Sequence, residues 1–306
     1  MSSCLSWDIF WPMANPSQPW TILRLIEWTK DYFARAGLEE PRLSAEMLLA
    51  HVLGCPRLAL YTQFDRQPAQ EQLASFRELV KRAAANEPIA YLTGVREFYS
   101  LAFNVSPEVL IPRPETELLV DAVLELAKAA GQRGLKLWDV CTGSGCVAIA
   151  AAHYVPTLSV LATDVSAAAL AVAANNVQEH GLAERVRLAQ ADLLSLPADA
   201  PMRGPFDIIT ANPPYVSDVQ MAKLPKVVLA EPPTALRAGP TGLEIIGQII
   251  RQAPQHLCAG GTLAVEMGAG QAQAVYELLN QSGDFDSIRI LKDAAGIERT
   301  AVAVRR

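Results

Sequence analysis

The sequence predicts an α/β protein: a mostly parallel β-sheet covered by helices on both faces, preceded by a small helical bundle and a linking β-hairpin. Three observations carry this reading. From Leu135 to Val304, short apolar runs alternate with helical patterns at the spacing of strand–helix–strand units. Ahead of them, apolar residues recur near period 3.6 in successive stretches separated by short loops, as in a helical bundle. Finally, one strand, Phe206–Ala211, stops abruptly at Asn212-Pro213-Pro214-Tyr215. Neither proline can donate a ladder hydrogen bond, and Pro213 bars the helical region to Asn212.

A length of 306 residues suggests about two domains, and 51% hydrophobic against 19% charged residues suits a protein with a sizeable core. The net charge of −6 gives no global basic field, and no Lys/Arg run qualifies as a nucleic-acid patch. A small neutral partner or a protein is expected instead. The five cysteines include no C-x-x-C pair and the four histidines no ligand spacing, so reduced thiols and no metal site are expected. Residues 1–16 read as a disordered tail or a start-site extension, with Met13 as an alternative start. They carry Trp7, Ile9, Phe10 and Trp11 but no basic n-region and no long apolar run, so a cytoplasmic protein without a membrane segment is expected.

In chain order, Ile22, Leu23, Leu25, Ile26 and Phe33 share the period of a helix stopped by Gly37. A second helix spans Leu43–Leu53, closed by Gly54 with Pro56 just beyond. A third spans Gln70–Ala85, with Leu73, Phe76, Leu79 and Val80 on one face. Residues 17–90 thus read as a helical bundle, expected to serve as a substrate-docking or capping domain. Residues 91–113 are the linker, where Glu97–Val105 alternates like a hairpin, and the domain boundary is expected near Ser106–Pro114. Pro114 then opens a helix over Leu118–Ala129, with Glu115 and Glu117 in its favourable first turn. Pro112-Arg113-Pro114 rigidly aims an arginine. Strands are expected at 135–140, 158–163, 185–190, 206–211, 262–266, 287–291 and 300–304, and helices at 147–153, 167–180, 243–257 and 271–279.

Strand ends in such a sheet are where ligands bind. After the first strand, Cys141-Thr142-Gly143-Ser144-Gly145 offers small residues for a tight turn and a helix N-terminus with free N–H groups. Asp164, ending the next strand, is placed to accept from ribose hydroxyls, although Asp164 or Ser166 could equally cap the following helix. Asp192 and Leu193 suit an adenine, the acid taking its amine and the leucine packing on the ring. The acceptors of Asn212 and Pro213, beside Pro214 and the Tyr215 ring, suit an NH2 group on a planar carbon. Such a nitrogen is a poor nucleophile, helped by positioning and fixed electrostatics rather than by a strong base. A dehydrogenase would want a His, Lys or Tyr-x-x-x-Lys relay beyond the fourth strand, whereas a methyltransferase needs only this acceptor cluster.

The chain resembles the HemK-type glutamine N5-methyltransferases, which modify the glutamine of the Gly-Gly-Gln motif in class I peptide chain release factors. The landmarks fall in order: Ile111-Pro112-Arg113-Pro114-Glu115-Thr116-Glu117, Asp139–Cys146, Asp164, Asn212-Pro213-Pro214-Tyr215, Glu231-Pro232-Pro233-Thr234-Ala235-Leu236 and Glu266-Met267-Gly268. Asn-Pro-Pro-Tyr alone is shared with nucleic-acid adenine and guanine N-methyltransferases. Sister enzymes acting on a ribosomal-protein glutamine tend to carry Pro-Arg-Ser-Pro where this chain has Pro112-Arg113-Pro114-Glu115. The resemblance implies a seven-stranded, Rossmann-like methyltransferase domain over 114–306 whose last strand is antiparallel, S-adenosyl-L-methionine as cofactor, and a monomer that docks release factors. It implies that Cys141, Thr142, Gly143, Ser144, Gly145, Asp164, Asp192, Leu193 and Asn212 bind the cofactor. Asn212, Pro213, Pro214 and Tyr215 would bind substrate, with Asn212, Pro213 and Tyr215 catalytic. Two departures stand out: Cys141 replaces a frequent glycine, and Leu193 a frequent aromatic.

Overall fold

A computed structural model describes residues 19–131 and 133–306, so the expectation for residues 1–16 lies outside it. Two compact units divide between Thr93 and Gly94. Among the described residues no helix is long and apolar enough to cross a membrane.

The first unit is helical: α1 (Ile22–Ala36), α2 (Pro41–Leu53), α3 (Arg57–Tyr61), α4 (Gln70–Ala84) and α5 (Ile89–Thr93). Thr21 opens α1 by accepting from the Arg24 N–H, and Gly37 closes it at φ 81°, a left-handed conformation suited to glycine. Ile22, Leu25, Ile26 and Phe33 form the buried stripe of α1 and pack with Leu48, Leu49, Phe76 and Val80. Leu23 lies one step off that stripe and is exposed. Pro41 at the first position starts α2 earlier than its apolar pattern does. The five-residue helices α3 and α5 are too short to reveal a period.

The second unit begins with a hairpin, β1 (Val95–Phe98) and β2 (Leu101–Asn104), turned by Tyr99 and Ser100 at φ 50° and 60°. Its compact unit therefore includes the hairpin, and the division falls ahead of the Ser106–Pro114 stretch. The hairpin is bound to this unit through buried Asn176, which accepts from the Asn104 N–H and donates to the Asn104 carbonyl. A turn at Pro114–Thr116 leads into α6 (Glu117–Ala130).

There follow β3 (Lys136–Val140), α7 (Cys146–Tyr154), β4 (Ser159–Asp164), α8 (Ala167–Glu179), β5 (Val186–Gln190) and β6 (Phe206–Ala211). A two-stranded pair, β7 (Val216–Ser217) and β8 (Arg237–Gly239), encloses the short helices α9 (Asp218–Met221) and α10 (Pro233–Leu236). This excursion has no apolar period, and the sequence did not reveal it. Next come α11 (Glu244–Gln252), β9 (Leu257–Glu266), α12 (Ala272–Ser282), β10 (Phe285–Lys292) and β11 (Glu298–Arg305). The helix expected to reach Leu257 stops at Gln252 because Pro254 cannot donate to the helix, and a 3-10 turn over Ala253–Gln255 hands the chain to β9.

The seven-stranded sheet has the order β10-β11-β9-β6-β3-β4-β5. Only β11 runs against the rest, pairing antiparallel with both β9 and β10. Alternate side chains serve two cores. Leu137, Val160, Ile208 and Ala264 pack with α6, α7 and α8, while Trp138, Leu161, Ile209 and Leu263 pack with α11 and α12. The chain builds β4 and β5 on one side of β3, then returns to place β6 on the other, which makes the β3–β6 boundary a switch point.

Candidate active site

Strand register levels the chemistry. Val140 pairs with Thr163 on one side and Ala211 on the other, and Ala211 pairs with Val265. The next residues, Cys141, Asp164, Asn212 and Glu266, therefore leave four adjacent strands at one height. A cavity of about 320 Å³ opens there, within the range of small-molecule sites. Cys141, Thr142, Gly143, Ser144, Asp164, Asp192, Leu193, Asn212 and Pro214 line it, together with Arg113 and Thr116.

The loop after β3 is held from beneath. The Thr142 N–H donates to the Thr163 carbonyl at 2.9 Å, and the Gly145 N–H to the Thr142 carbonyl at 2.8 Å. Asp139 is buried and accepts from Thr142 Oγ1 at 2.6 Å and Thr210 Oγ1 at 2.7 Å, tying β3 to β6. Desolvation raises its carboxyl to about 6 despite those donors. Cys141 adopts φ 57°, a conformation that costs a non-glycine residue roughly 1–2 kcal/mol. Burial, with Asp164, Asp139 and Asp192 nearby, pushes its thiol far up, so it stays protonated.

Asp164 takes the Gly143 N–H on Oδ2 and the Ser166 N–H on Oδ1, both at 2.9 Å, which fixes the carboxylate against the loop and leaves each oxygen a further lone pair. Ser166, not Asp164, caps α8 by accepting from the Ala169 N–H. Leu193, like Cys141, has positive φ, at 49°. Ser144 Oγ is buried without a hydrogen-bond partner among the described residues, an orphan at the cavity wall.

Three expected site residues do not line the cavity. Gly145 is a packing position at φ 80°, where an added Cβ would meet Ile149 Cδ1 at 3.1 Å. Pro213 is buried at the end of β6. Tyr215 is anchored at both ends: its hydroxyl donates to Glu266 Oε1 at 3.2 Å, and its carbonyl accepts from Gln271 Nε2 at 3.1 Å. Burial and the Glu266 carboxylate raise the Tyr215 phenol well above its ordinary value.

Several contributors carried no assigned role in the sequence reading. Glu231, almost fully buried, accepts from the Ile111 N–H at 3.0 Å and from Arg113 Nη2, stapling the Pro-Arg-Pro stretch to the Glu-Pro-Pro stretch. Arg113 is thus aimed at Glu231. Asn212 Nδ2 donates to Thr116 Oγ1 at 3.0 Å. Thr116, Glu231 and Glu266 all fall inside the quoted landmarks, which was the available signal. Among the described residues no group of three or more His, Cys, Asp or Glu could hold a metal ion.

Residues 24–94 match the PrmC N-terminal domain family, and residues 114–240 the methyltransferase small domain family. A release factor glutamine methyltransferase of Rhodopirellula baltica is 44% identical over 285 residues, spanning 92% of this chain and 95% of the relative. Another, of Moorella thermoacetica, is 42% identical over 274 residues, spanning 89% and 94%. Among solved structures, the hMettl16 catalytic domain in complex with a MAT2A 3'UTR hairpin is similar at TM-score 0.54 and 18% identity, covering 72% of this chain and 80% of that one. The N-terminal domain of human METTL16 in complex with SAH is similar at TM-score 0.51 and 18% identity, covering 73% and 82%. These two likenesses speak for the methyltransferase fold alone.

Proposed function

The chain belongs to the release factor glutamine methyltransferase family, and we propose that it transfers a methyl group from S-adenosylmethionine to the side-chain amide nitrogen of the Gly-Gly-Gln glutamine in class I release factors, acting as a cytoplasmic monomer. The observation that carries this reading is the shared height of Cys141, Asp164 and Asn212 around one cavity, at the switch point of the sheet. The residues present fit the cofactor. A fixed carboxylate at Asp164 suits a ribose diol, and the orphan Ser144 hydroxyl together with the loop Cys141–Gly145 suits the polar amino-acid end. Asp192 and Leu193 at the rim suit an adenine. When bound, the cofactor supplies an electrophilic methyl on a sulfonium.

The protein's own work is positional. Asn212 Oδ1 accepts one hydrogen of the substrate amide at the cavity wall, and the carbonyl of the adjoining Pro213, outside the cavity lining, is assigned the other, so that the nitrogen lone pair faces the methyl donor. Tyr215, fixed by Glu266 and Gln271, and Pro214 pack against the amide plane. As the methyl carbon's bond to sulfur broke and left a neutral thioether, the nitrogen would carry the methyl group and the positive charge, and would then give one of its original hydrogens to water as a proton. No strong base is required, because an N-protonated amide is itself a strong acid.

Tritium transfer from labelled S-adenosylmethionine tests the reading directly. Wild-type release factor should be labelled, and its Gln-to-Ala variant should not; label appearing instead on tRNA, rRNA or DNA run in parallel would overturn the substrate. Asn212→Ala should lower kcat by about 100-fold or more, as expected for loss of a preorganised polar contact, while cofactor affinity stays within about threefold. Unchanged turnover would remove Asn212 from the catalytic role.

A further inference from the structure

We infer that Thr116 and Glu266 are the positioning residues of this site, a buried pair that fixes which atom of the Asn212 amide serves the substrate and holds the Tyr215 ring in register with it. The inference rests on the methyltransferase reading above. Its starting point is an ambiguity of the asparagine side chain. An amide has a donor end and an acceptor end of nearly the same shape, and only the acceptor end can take a hydrogen from a substrate NH2 group. A free Asn212 could turn either end to the cavity.

Thr116 removes that freedom. Its Oγ1 lies 3.0 Å from Asn212 Nδ2 and accepts from it, so Nδ2 is committed and Oδ1 is left to serve the cavity. A hydroxyl can also donate, however, and a threonine whose own hydrogen pointed at Asn212 would favour the opposite orientation. The Glu266 carboxylate settles this. It is fully buried, the nearby Thr116 hydroxyl helps to stabilise its charge, and in its ionised form it only accepts. With Glu266 ionised, the Thr116 hydrogen is drawn towards it, which leaves the Thr116 lone pairs to Asn212 Nδ2. The same carboxylate takes the Tyr215 hydroxyl on Oε1 at 3.2 Å, so one acid orders both side chains of the Asn-Pro-Pro-Tyr turn.

The fold places these groups deliberately close. Glu266 follows Val265, which pairs with Ala211, so it leaves β9 at the height at which Asn212 leaves β6. Thr116 ends the Pro114–Thr116 turn, whose entry is stapled by Glu231. Glu266 Oε2 has no hydrogen-bond partner among the described residues, and Thr300 Oγ1, equally unpartnered, stands opposite on β11 in register with Glu266. An acid kept buried with half its acceptors unused contributes little to stability. Orientation of the Tyr215 hydroxyl is the role its geometry supports.

The test compares Thr116→Val, which keeps the shape and removes the hydroxyl, with Thr116→Ser, which restores it. Thr116→Val should lower kcat by about tenfold or more, the worth of one oriented hydrogen bond, with the release-factor KM and cofactor Kd within about twofold. Thr116→Ser should recover turnover to within about threefold of wild type. Thr116→Val with wild-type kcat, or a loss that Thr116→Ser does not rescue, would overturn the inference. A second readout needs no turnover. The Asn212 side-chain amide, assigned by its absence in Asn212→Ala, should show one slowly exchanging NH proton in wild type and Thr116→Ser but not in Thr116→Val. Equal exchange in all three overturns the inference by itself. Failure of the functional reading looks different, because the wild-type enzyme then leaves the release factor unlabelled whatever the amide protons do.

Discussion

Glu266 is held where its ionisation is costly. Burial pushes its carboxyl from an ordinary 4.5 to about 7, with Glu115 adding to the rise and Thr116, Tyr215 and Arg299 opposing it. The folded chain therefore binds more protons than the unfolded chain between those values, so this group's contribution is favourable below pH 4.5 and is lost as pH rises to about 7. The slope can reach about 1.4 kcal/mol per pH unit. Asp139 acts the same way from 3.8 to about 6. Denaturation of wild type and Glu266→Gln in urea at pH 5 and pH 8 isolates the Glu266 share: the variant should lose less stability over that interval. An equal loss would mean that Glu266 titrates as an exposed acid. Residue-scale chemistry of this kind was only half legible in sequence. Asp164 and Asn212 announced themselves as polar residues closing apolar strands. Thr116 and Glu266 did not, because their role depends on strands and turns 150 residues apart meeting at one height.

At the scale of elements, the hairpin and the loop after β3 meet through one side chain. Asn176, buried in α8, accepts from the Asn104 N–H at 2.8 Å, donates to the Asn104 carbonyl at 3.1 Å and donates to the Ser144 carbonyl at 2.8 Å. His180 adds a bond to the Ala102 carbonyl at 2.8 Å. Replacing Asn176 with Ala would leave one buried and two half-buried backbone groups without their partner, a cost of about 2 kcal/mol. Hydrogen exchange should accelerate at the Asn104 amide first, and cofactor affinity should fall because the Ser144 backbone loosens. Protection at Asn104 unchanged from wild type would dissociate the hairpin from the loop. Most strands and helices of this domain were legible as short apolar runs alternating with helical patterns, punctuated by Gly and Pro. The β7–β8 excursion was not, because two- and three-residue strands carry no period, and α11 ended early, just ahead of Pro254.

Across the whole molecule, the residues assigned to chemistry fall in one of the two units. Every residue lining the cavity lies after Gly94, and the first unit has its own core, built on Phe33, Leu48, Leu49 and Phe76. Its buried acid, Glu46, is satisfied internally by Arg42, Arg57 and Tyr61, so it offers no reacting group. Among the described residues of this unit no candidate catalytic group is assigned, and substrate docking is the role proposed for it. Removing it should then separate binding from catalysis. A protein comprising Gly94–Arg306 should bind S-adenosylmethionine with a Kd within about threefold of the full chain, since each loop that lines the cavity is retained. Its KM for intact release factor should rise by about tenfold or more, because the docking contacts no longer hold the substrate near the site. The kcat reached at saturating release factor should change far less. Calorimetry and steady-state methylation of the two proteins side by side measure all three quantities. A KM equal to that of the full chain would move recognition into the hairpin and the α9–α10 excursion, while loss of cofactor binding would make the first unit a support for the sheet.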